Sequence, residues 1–424
     1  MHQKFLFLLV FIAGSIILAA PLQAQQARKD TTRAAKTDST EALDEAELEK
    51  ELARELGLLA GSETDTSVTP PQTSAPAISG SIARAGSVLN PRISVIGTFF
   101  GSGTGNQAVA RAVDVGLSET EFSFQAYVDP YTKADFFVAF GREQEDPFAG
   151  PDEEAANLSE YEAELEEGYL TTLSLPFSLQ IKAGKFLGAF GKLNSLHPHA
   201  FNFVDYPRMY VNYLGEEGLI DRGLSINWLV PNPFDLYQEL TLEITSGALG
   251  GPAFQGNSKD LLYLLHLKNF FDLNDNTTLE LGFTGMQGPN GLERYKTRMG
   301  AVDVTLRWKP LRMNRYKSFE LMLEALASQY ETAAGIISSK ALFAFLRYQV
   351  ARRWFLGARY DYSEFPDDSE HNEKAYSAIL SFYTSEFQKM ELQVQRGIPA
   401  WGDAFNRILL RVVFVIGAHG AHKY

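Results

Sequence analysis

The sequence predicts an all-β protein: a closed transmembrane antiparallel β-barrel of about sixteen strands, preceded by a mostly disordered N-terminal segment that contains one short helix. Three observations predict this fold. An export signal opens the chain. From residue 91 onward, short stretches alternate between apolar and polar residues, as strands with one lipid-facing and one water-facing side do. After the signal, no stretch is long and apolar enough for a membrane helix, and only helices and closed barrels can span lipid.

The first 24 residues have the pattern of a secretory signal peptide. Lys4 precedes an almost unbroken apolar run over 5–20, and Ala24 offers a small residue at the cleavage site. A membrane anchor would need ~20 apolar residues, which is longer than this run. The chain contains no Cys, and this excludes a lipoprotein anchor, a disulfide framework and thiolate chemistry.

Residues 25–90 are predicted to form a periplasmic low-complexity linker. The region is rich in Ala, Thr, Ser, Glu and Pro and lacks Phe, Trp and Tyr, so it cannot bury enough apolar area to fold alone. A helix is predicted near 40–60, because leucines recur there at helical spacing, at Leu48, Leu52, Leu56 and Leu59. This helix is either a transient amphipathic helix of the linker or a coiled-coil segment that docks a periplasmic partner.

Residues 91–424 are assigned to the barrel. The alternation is clearest in Phe122–Val128, Leu240–Ile244 and Val302–Trp308, where the even-numbered positions are apolar. The predicted strands cover 92–100, 117–129, 131–141, 167–175, 177–186, 222–230, 238–247, 259–270, 276–287, 297–309, 317–330, 339–351, 353–365, 374–385, 388–397 and 404–417.

The predicted connections between these strands alternate in length. Barrels of the outer membrane have short periplasmic turns and longer external loops. Here the turns near 129–130 and 231–233 are short, whereas the loops 142–166 and 187–221 are long. This alternation supports an even number of strands, with both ends of the barrel facing the periplasm. Aromatic residues cluster near strand ends, as at membrane interfaces and unlike a soluble β-sandwich: Trp228, Trp308, Tyr316, Trp354, Phe382 and Tyr383.

A family resemblance is carried by residues 179–194. They read LQIKAGKFLGAFGKLN, in which Ala-Gly-Lys-Phe ends a predicted strand and Phe190-Gly191 follows it. This segment resembles the strand-and-loop signature of outer-membrane porins similar to the phosphate-selective porin group. The resemblance implies a sixteen-stranded barrel, a homo-trimer and a loop folded into the lumen. The chain departs from the family pattern at its end, because Tyr424 lies seven residues beyond the last predicted strand.

The connection 187–221 is predicted to be functional, because loops beyond about 15 residues are usually either functional or disordered. Its many aromatic residues argue against disorder, namely Phe190, Phe201, Phe203, Tyr206, Tyr210 and Tyr213. The loop either narrows the lumen or packs on the rim or at a subunit contact.

Basic residues on predicted inward strand positions, or near this loop, are candidates for lining the pore or its constriction. They are Lys182, Lys185, Lys192, Arg208, Arg222, Arg307, Arg347, Arg359, Arg407 and Arg411, together with His197 and His199 of the loop. Rings of Arg and Lys select anions. Carboxylates also fall on inward positions, at Glu121, Glu239, Glu243, Glu280, Asp303, Glu320, Glu324, Asp361 and Glu391. The alternatives are an anion-selective basic ladder and a mixed-charge wall of ion pairs.

The sequence predicts neither a metal site, nor a cofactor, nor an enzyme. His197 and His199 supply two ligands where Zn²⁺ normally takes three or four, and His419 and His422 in the tail pose the same question. The glycine-rich 101–105 lacks the Lys-Ser/Thr of a phosphate-binding loop, and no G-x-S-x-G occurs. The net charge of −14 argues against nucleic acid as a partner.

Two functions follow from these observations. The first is a porin-like channel in the bacterial outer membrane, surrounded by lipid, for passive diffusion of small hydrophilic solutes and narrowed by the loop 187–221. The second is a structural barrel that anchors the periplasmic helix near 40–60 to a partner or the cell wall. An open lumen favours the channel, and a filled lumen favours the anchor.

Overall fold

The computed structural model describes residues 91–105, 112–142, 144–149, 161–233, 236–256, 259–291 and 294–417. The predicted signal peptide, the linker with its helix, and the tail with His419 and His422 lie outside these residues. Among the described residues, no helix is long and apolar enough to cross a lipid bilayer.

Sixteen antiparallel strands form a closed barrel, which confirms the predicted fold. Each strand pairs with its neighbours in chain order, and β1 closes the ring on β16, from Ser94 opposite Gly417 to Thr104 opposite Arg407. The strands are β1 (Arg92–Thr104), β2 (Val113–Asp129), β3 (Thr132–Gly141), β4 (Glu162–Thr172), β5 (Leu179–Leu187), β6 (Ile220–Leu229), β7 (Tyr237–Thr245), β8 (Leu262–Asn274), β9 (Thr277–Pro289), β10 (Lys296–Trp308), β11 (Phe319–Thr332), β12 (Gly335–Ala351), β13 (Trp354–Glu364), β14 (Asn372–Ser385), β15 (Gln388–Ile398) and β16 (Phe405–Gly417).

The strand that differs most from its predicted bounds is β4. It begins at Glu162 rather than at 167, so residues assigned to an external loop belong to the wall. The physical reason is a bulge: the pairing of β3 with β4 shifts between Phe137 and Val138, and Glu166 is the extra residue. A bulge interrupts the alternation that marks a strand in sequence.

Connections of different length gather at the two ends of the barrel. At one end, here called the short-loop rim, β8 and β9 are joined by two residues, as are β12 and β13. At the other end, the long-loop rim, 142–161 joins β3 to β4 and 188–219 joins β5 to β6. This agrees with the predicted alternation at most connections. The exceptions are the two-residue turn between β11 and β12 at the long-loop rim and the longer connection 309–318 at the short-loop rim.

The two faces of the wall have opposite polarity, as the alternation predicts. Leu242, Leu323 and Leu346 on the outer face are 38–44% exposed, whereas the inward Glu243 and Glu324 are 1–3% exposed. Apolar residues outside and carboxylates inside invert the arrangement of a soluble protein. The outer face therefore suits a barrel surrounded by lipid.

Aromatic residues form a belt outside the short-loop rim. Trp228 and Trp308 lie at the ends of β6 and β10, and the rings of Trp354 and Phe382 are 4.5 Å apart. Such belts mark the interface between lipid and water.

The prediction that Tyr383 belongs to this belt is wrong. Its hydroxyl lies inside the barrel, where a guanidinium nitrogen of Arg347 donates to it at 3.2 Å.

A charge on the outer face should destabilise the barrel according to its depth. Leu410 and Ile416 lie on the same face of β16, the first near mid-strand and the second at the short-loop rim. We expect Leu410→Arg to lower the free energy of unfolding by about 2–4 kcal/mol and Ile416→Arg by about 0–1 kcal/mol. Denaturant unfolding in lipid vesicles measures both values, and equal losses would contradict a membrane-spanning wall.

Candidate functional site in the barrel lumen

Residues 188–219, here called the inner segment, lie inside the barrel. They contain two short 3₁₀ helices (Leu193–Ser195 and Pro198–Ala200) and a helix α1 (Arg208–Leu214). The segment makes hydrogen bonds to side chains of β7, β9, β11, β12, β13, β14, β15 and β16, through Glu243, Thr284, Glu324, Ser339, Arg359, Glu373, Gln393 and Arg411. A single segment can contact so many strands of a closed ring only from within it.

Large apolar side chains fix the inner segment against the wall from β8 to β14. Phe190, Phe203 and Tyr210 are at most 1% exposed, and the ring of Phe203 lies 5.1 Å from that of Phe345 on β12. Burying each such side chain stabilises the docked segment by about 1.5–3 kcal/mol. The wall side of this cluster includes Leu264, Met286, Met299, Met322, Phe343 and Ile379.

The motif Phe190-Gly191-Lys192 forms the turn by which the inner segment docks on the wall. Gly191 has a positive φ of 55°, and a Cβ there would collide with the carboxylate of Glu324. That carboxylate accepts the backbone N–H groups of Lys192 and Leu193 at 3.1 and 2.9 Å. The Lys192 ammonium donates to Glu280 at 2.7 Å. The residues that carried the family resemblance therefore turn the chain and anchor it to β9 and β11.

Asp205 is the most strongly held carboxylate of the inner segment. Arg359 of β13 donates to its Oδ1 at 2.8 Å and to its carbonyl at 2.7 Å, and Arg407 of β16 pairs with Oδ2. Gln393 and Gln395 of β15 donate to the same carboxylate at 2.6 and 3.1 Å. Burial alone would raise the pKa of Asp205, but the two guanidinium groups hold that pKa well below its usual range.

Arg411 and Arg347 bind the same stretch of the inner segment. The Arg411 guanidinium donates to the carbonyls of Pro198, Phe201 and Phe203 at 2.7–2.8 Å. Its Nε donates to Glu391 of β15 at 2.8 Å. Arg347 of β12 donates to Asn202, and a second nitrogen of its guanidinium lies 3.3 Å from Glu320 of β11. We call Arg347, Arg359, Arg407 and Arg411 the arginine wall.

The other basic candidates lie around the arginine wall. Arg208 of α1 donates to Glu373 of β14 at 2.6 Å and to Asp146 at 2.7 Å. Arg307 donates to Glu320 at 2.9 Å.

The basic candidates of β5 and β6 lie on the opposite side of the ring. Lys182 stacks on the ring of Tyr169 at 4.5 Å, and Lys185 donates to Glu164 at 2.7 Å, near the long-loop rim. The prediction that Arg222 lines the pore is wrong. Arg222 is exposed and alternates in phase with the outward Leu224, so it does not face the lumen.

His197 and His199 reach the wall at β2 and β4. Nδ1 of each imidazole lies 3.3 Å from Oε2 of Glu121, and the two rings stack with centroids 5.6 Å apart. Burial alone would lower the pKa of His197, but Glu166 and Glu167 hold that pKa well above its usual value. Burial, with the neighbouring His197, lowers the pKa of His199 well below its usual value.

The inner segment therefore bridges the lumen, with histidines on the β2–β4 side and arginine contacts on the β12–β16 side. The arginines and Lys192 that contact it also face carboxylates at ion-pair distance, so the geometry favours the mixed-charge alternative of the sequence analysis. Sequence reasoning missed Glu373, Gln393 and Gln395, because a strand glutamate or glutamine carries no local signal of its partner.

Removing the charge of Asp205 should loosen the inner segment. Asp205→Asn leaves the buried Arg407 without its carboxylate partner and leaves Arg359 with Asp361 alone, a loss that costs about 3–5 kcal/mol. We expect trypsin to cut the folded variant within the inner segment at least ten times faster than the parent chain. Asp368→Asn is the matched control, because that carboxylate pairs with His371 in an exposed turn at the long-loop rim. Equal resistance of the two variants would contradict the assigned role of Asp205.

Comparison with known sequences finds a distant relative and no family assignment. No model of a known protein family matches the chain. An uncharacterized protein of Aquifex aeolicus (strain VF5) is 29% identical over 312 residues, and the match covers 63% of this chain. The chain spans 65% of the length of that relative.

Comparison with solved structures finds porins of low sequence identity. The anion-selective porin from Comamonas acidovorans is 11% identical with a TM-score of 0.51, over 77% of this chain and 100% of that chain. OprB of Pseudomonas putida is 11% identical with a TM-score of 0.51, over 80% of this chain and 96% of that chain. These similarities concern the fold, and the chain accordingly has the fold of outer-membrane porins.

Proposed function

We propose that this protein is a porin-type channel of the bacterial outer membrane, passing small hydrophilic solutes by passive diffusion, and that the inner segment narrows its lumen. The observation that carries the proposal is the placement of residues 188–219 inside a closed sixteen-stranded ring. The apolar outer face and the aromatic belt support a position in lipid. The fold shared with the porins of Comamonas acidovorans and Pseudomonas putida supports transport.

The size of the barrel explains why such a segment is needed. Wall side chains can fill a barrel of about eight strands, but barrels of 16–18 strands leave an aqueous channel. In a ring of sixteen strands, the chain folded into the lumen therefore sets the width of any passage. The bulky, buried residues of the inner segment make this passage narrow on the β8–β14 side.

The charges inside the barrel support weak selectivity rather than a strong preference for anions. The Comamonas acidovorans porin is described as anion-selective. In the present chain, Arg359 and Arg407 share Asp205, and Arg411 pairs with Glu391. Lys192 pairs with Glu280. Because cations and carboxylates alternate at ion-pair distance, their fields largely cancel along the arginine wall.

The filled side of the lumen supports a second candidate function. In it, a structural barrel anchors the segment near 40–60, which the sequence predicts to be helical, to a periplasmic partner or the cell wall. The inner segment packs Phe190, Phe201, Phe203 and Tyr213 against the wall, each at most 2% exposed. A barrel closed in this way would hold a protein in the membrane without conducting.

Both candidates are non-enzymatic and use lipid as a partner. A homo-trimer and membership of the phosphate-selective group remain proposals that rest on the family resemblance.

Conductance separates the two candidates. We expect the purified full chain to produce stable steps in planar bilayers in KCl. Replacing Phe201 and Phe203 by Ala removes bulk from the inner segment, so the step size should rise at least twofold. Phe136→Ala is the control, because this side chain is 47% exposed on the outer face. A folded chain that never conducts would favour the anchor.

The mixed-charge wall predicts a small reversal potential. In a tenfold KCl gradient we expect permeabilities of K⁺ and Cl⁻ within about threefold of each other, because paired charges leave little net field in the lumen. Asp205→Asn removes one carboxylate opposite two arginines and should shift the ratio toward Cl⁻. A strong preference for either ion in the parent chain would contradict the mixed-charge wall.

A further inference from the structure

Two imidazoles of the inner segment and several carboxylates of the wall converge between β2 and β4. Oε2 of Glu121 lies 3.3 Å from Nδ1 of His197 and 3.3 Å from Nδ1 of His199. Oε2 of Glu166 lies 3.5 Å from Nδ1 of His197. We call these four residues the histidine–carboxylate cluster. Glu119 also approaches it, since its carboxylate, the carboxylate of Glu121 and the imidazole of His199 place ligand atoms within 4.8 Å of one another.

Three of the six separations among these four residues match the edges of a tetrahedral metal site. Zn²⁺ binds His nitrogen at about 2.0–2.1 Å and carboxylate oxygen at about 2.0–2.2 Å. The edge of a tetrahedron is about 1.6 times the distance from its centre to a vertex, so ligand atoms of a tetrahedral site lie about 3.3–3.5 Å apart. The three distances fall in this interval. The ligand atoms form two groups that share Glu121, one with Glu166 and His197 and the other with Glu119 and His199.

The outer partner of His197 orients its ring as in metal sites. Nε2 of His197 lies 3.3 Å from Oε2 of Glu167, and the other oxygen of Glu167 accepts the backbone N–H of Leu187 at 2.6 Å. A histidine that ligates a metal usually donates its second ring N–H to a carboxylate in this manner. The contact with Glu167 directs Nδ1 of His197 toward Glu121 and Glu166.

Glu121 supplies an independent indication that a ligand belongs here. Its side chain is 1% exposed, and neither carboxylate oxygen accepts a hydrogen bond from the residues that the structure describes. Burying an ionised carboxylate without hydrogen bonds is strongly unfavourable. A cation between Glu121, Glu166 and the two imidazoles would satisfy it.

We propose that His197, His199, Glu121 and Glu166 bind one divalent transition-metal ion of the Zn²⁺ class, which fastens the inner segment to β2 and β4. Two nitrogen and two oxygen ligands select Zn²⁺, Co²⁺ or Ni²⁺ over Ca²⁺ and Mg²⁺, which prefer oxygen ligands alone. The bound ion holds the side of the inner segment that faces away from the arginine wall. The sequence interpretation counted only the two histidines, whereas the proposed site adds two carboxylates of the wall.

Cobalt is the probe for this site, because tetrahedral Co²⁺ absorbs visible light much more strongly than octahedral Co²⁺. The experiment uses the full chain in detergent with His419→Gln and His422→Gln, so that the tail does not bind metal. After treatment with a chelator, the protein is titrated with Co²⁺ alone. We expect one equivalent to bind, with the absorption of a tetrahedral site, and Zn²⁺ to displace it.

Substitutions of single residues test which side chains bind the metal ion. Glu121→Gln and His199→Gln each remove one ligand at nearly constant volume and should weaken Co²⁺ binding at least a hundredfold. Glu167→Gln changes only the outer partner of His197 and should weaken it about 10–100-fold. The control is His266→Gln, because His266 lies on β8 and its Nδ1 is 2.9 Å from Thr284, outside the cluster. Folding of each variant is checked by the heat-dependent mobility of the barrel in gels.

The outcomes are distinct. The site is supported if the parent chain binds one equivalent of Co²⁺ in tetrahedral geometry. This binding should be lost in folded Glu121→Gln and His199→Gln and kept in His266→Gln. If the folded parent chain binds no Co²⁺, or binds Ca²⁺ in preference, the proposal is overturned. Binding that persists unchanged in both ligand variants also overturns it. If both ligand variants fail to fold, the parent titration and Glu167→Gln still decide the matter.

Discussion

Closure of the sheet is the constraint on which the rest of this structure depends. Lipid offers no partner for backbone N–H and C=O groups, so a sheet in the membrane must pair its first strand with its last. The register of β1 on β16 achieves this from Ser94 to Thr104. Once the ring is closed, successive residues of every strand face lipid and the lumen in turn. The sequence of each strand therefore alternates between apolar and polar residues.

A closed ring of sixteen strands creates an interior that its own wall cannot fill, and the inner segment occupies that space. The segment is buried, so its polar groups need partners as much as its aromatic residues need neighbours. The arginine wall supplies donors for the carbonyls of Phe201 and Phe203 and for the carboxylate of Asp205. Glu324 supplies an acceptor for the amides of Lys192 and Leu193. These polar residues of the wall therefore hold the inner segment in position, and their hydrogen-bonding groups are largely occupied by it.

The fold and the location of the site could be predicted because both depend on local patterns. Alternation revealed all sixteen strands, and the excess length and aromatic content of 187–221 identified the segment that lies inside the barrel. The face of each arginine on β12, β13 and β16 follows from the same alternation, since these strands are long and regular. Arg222 was chosen as a candidate because it stands near the loop, but alternation along β6 places it on the outer face with Leu224.

The contacts that define the site could not be predicted, because they join residues far apart in the chain. Glu121 meets His197 only when β2 and the inner segment are both in place. Glu166 was assigned to an external loop, since the bulge on β4 hides its position in the wall. Two histidines in one loop therefore looked like too few ligands. The carboxylates of the proposed ligand set become neighbours of the histidines through the closed barrel and not through sequence spacing.

Hydrogen exchange of the backbone amides tests most directly whether residues 188–219 are held inside the barrel. The measurement is made on the full chain in detergent micelles, with peptides from the inner segment compared with peptides from β11 and from the exposed turn 365–371. We expect the amides of Leu193, Val204 and Tyr210, which are hydrogen-bonded in the structure, to exchange far more slowly than the amides of that turn, at rates approaching those of β11. If the amides of the inner segment exchange as fast as those of the turn, residues 188–219 are not held inside the barrel.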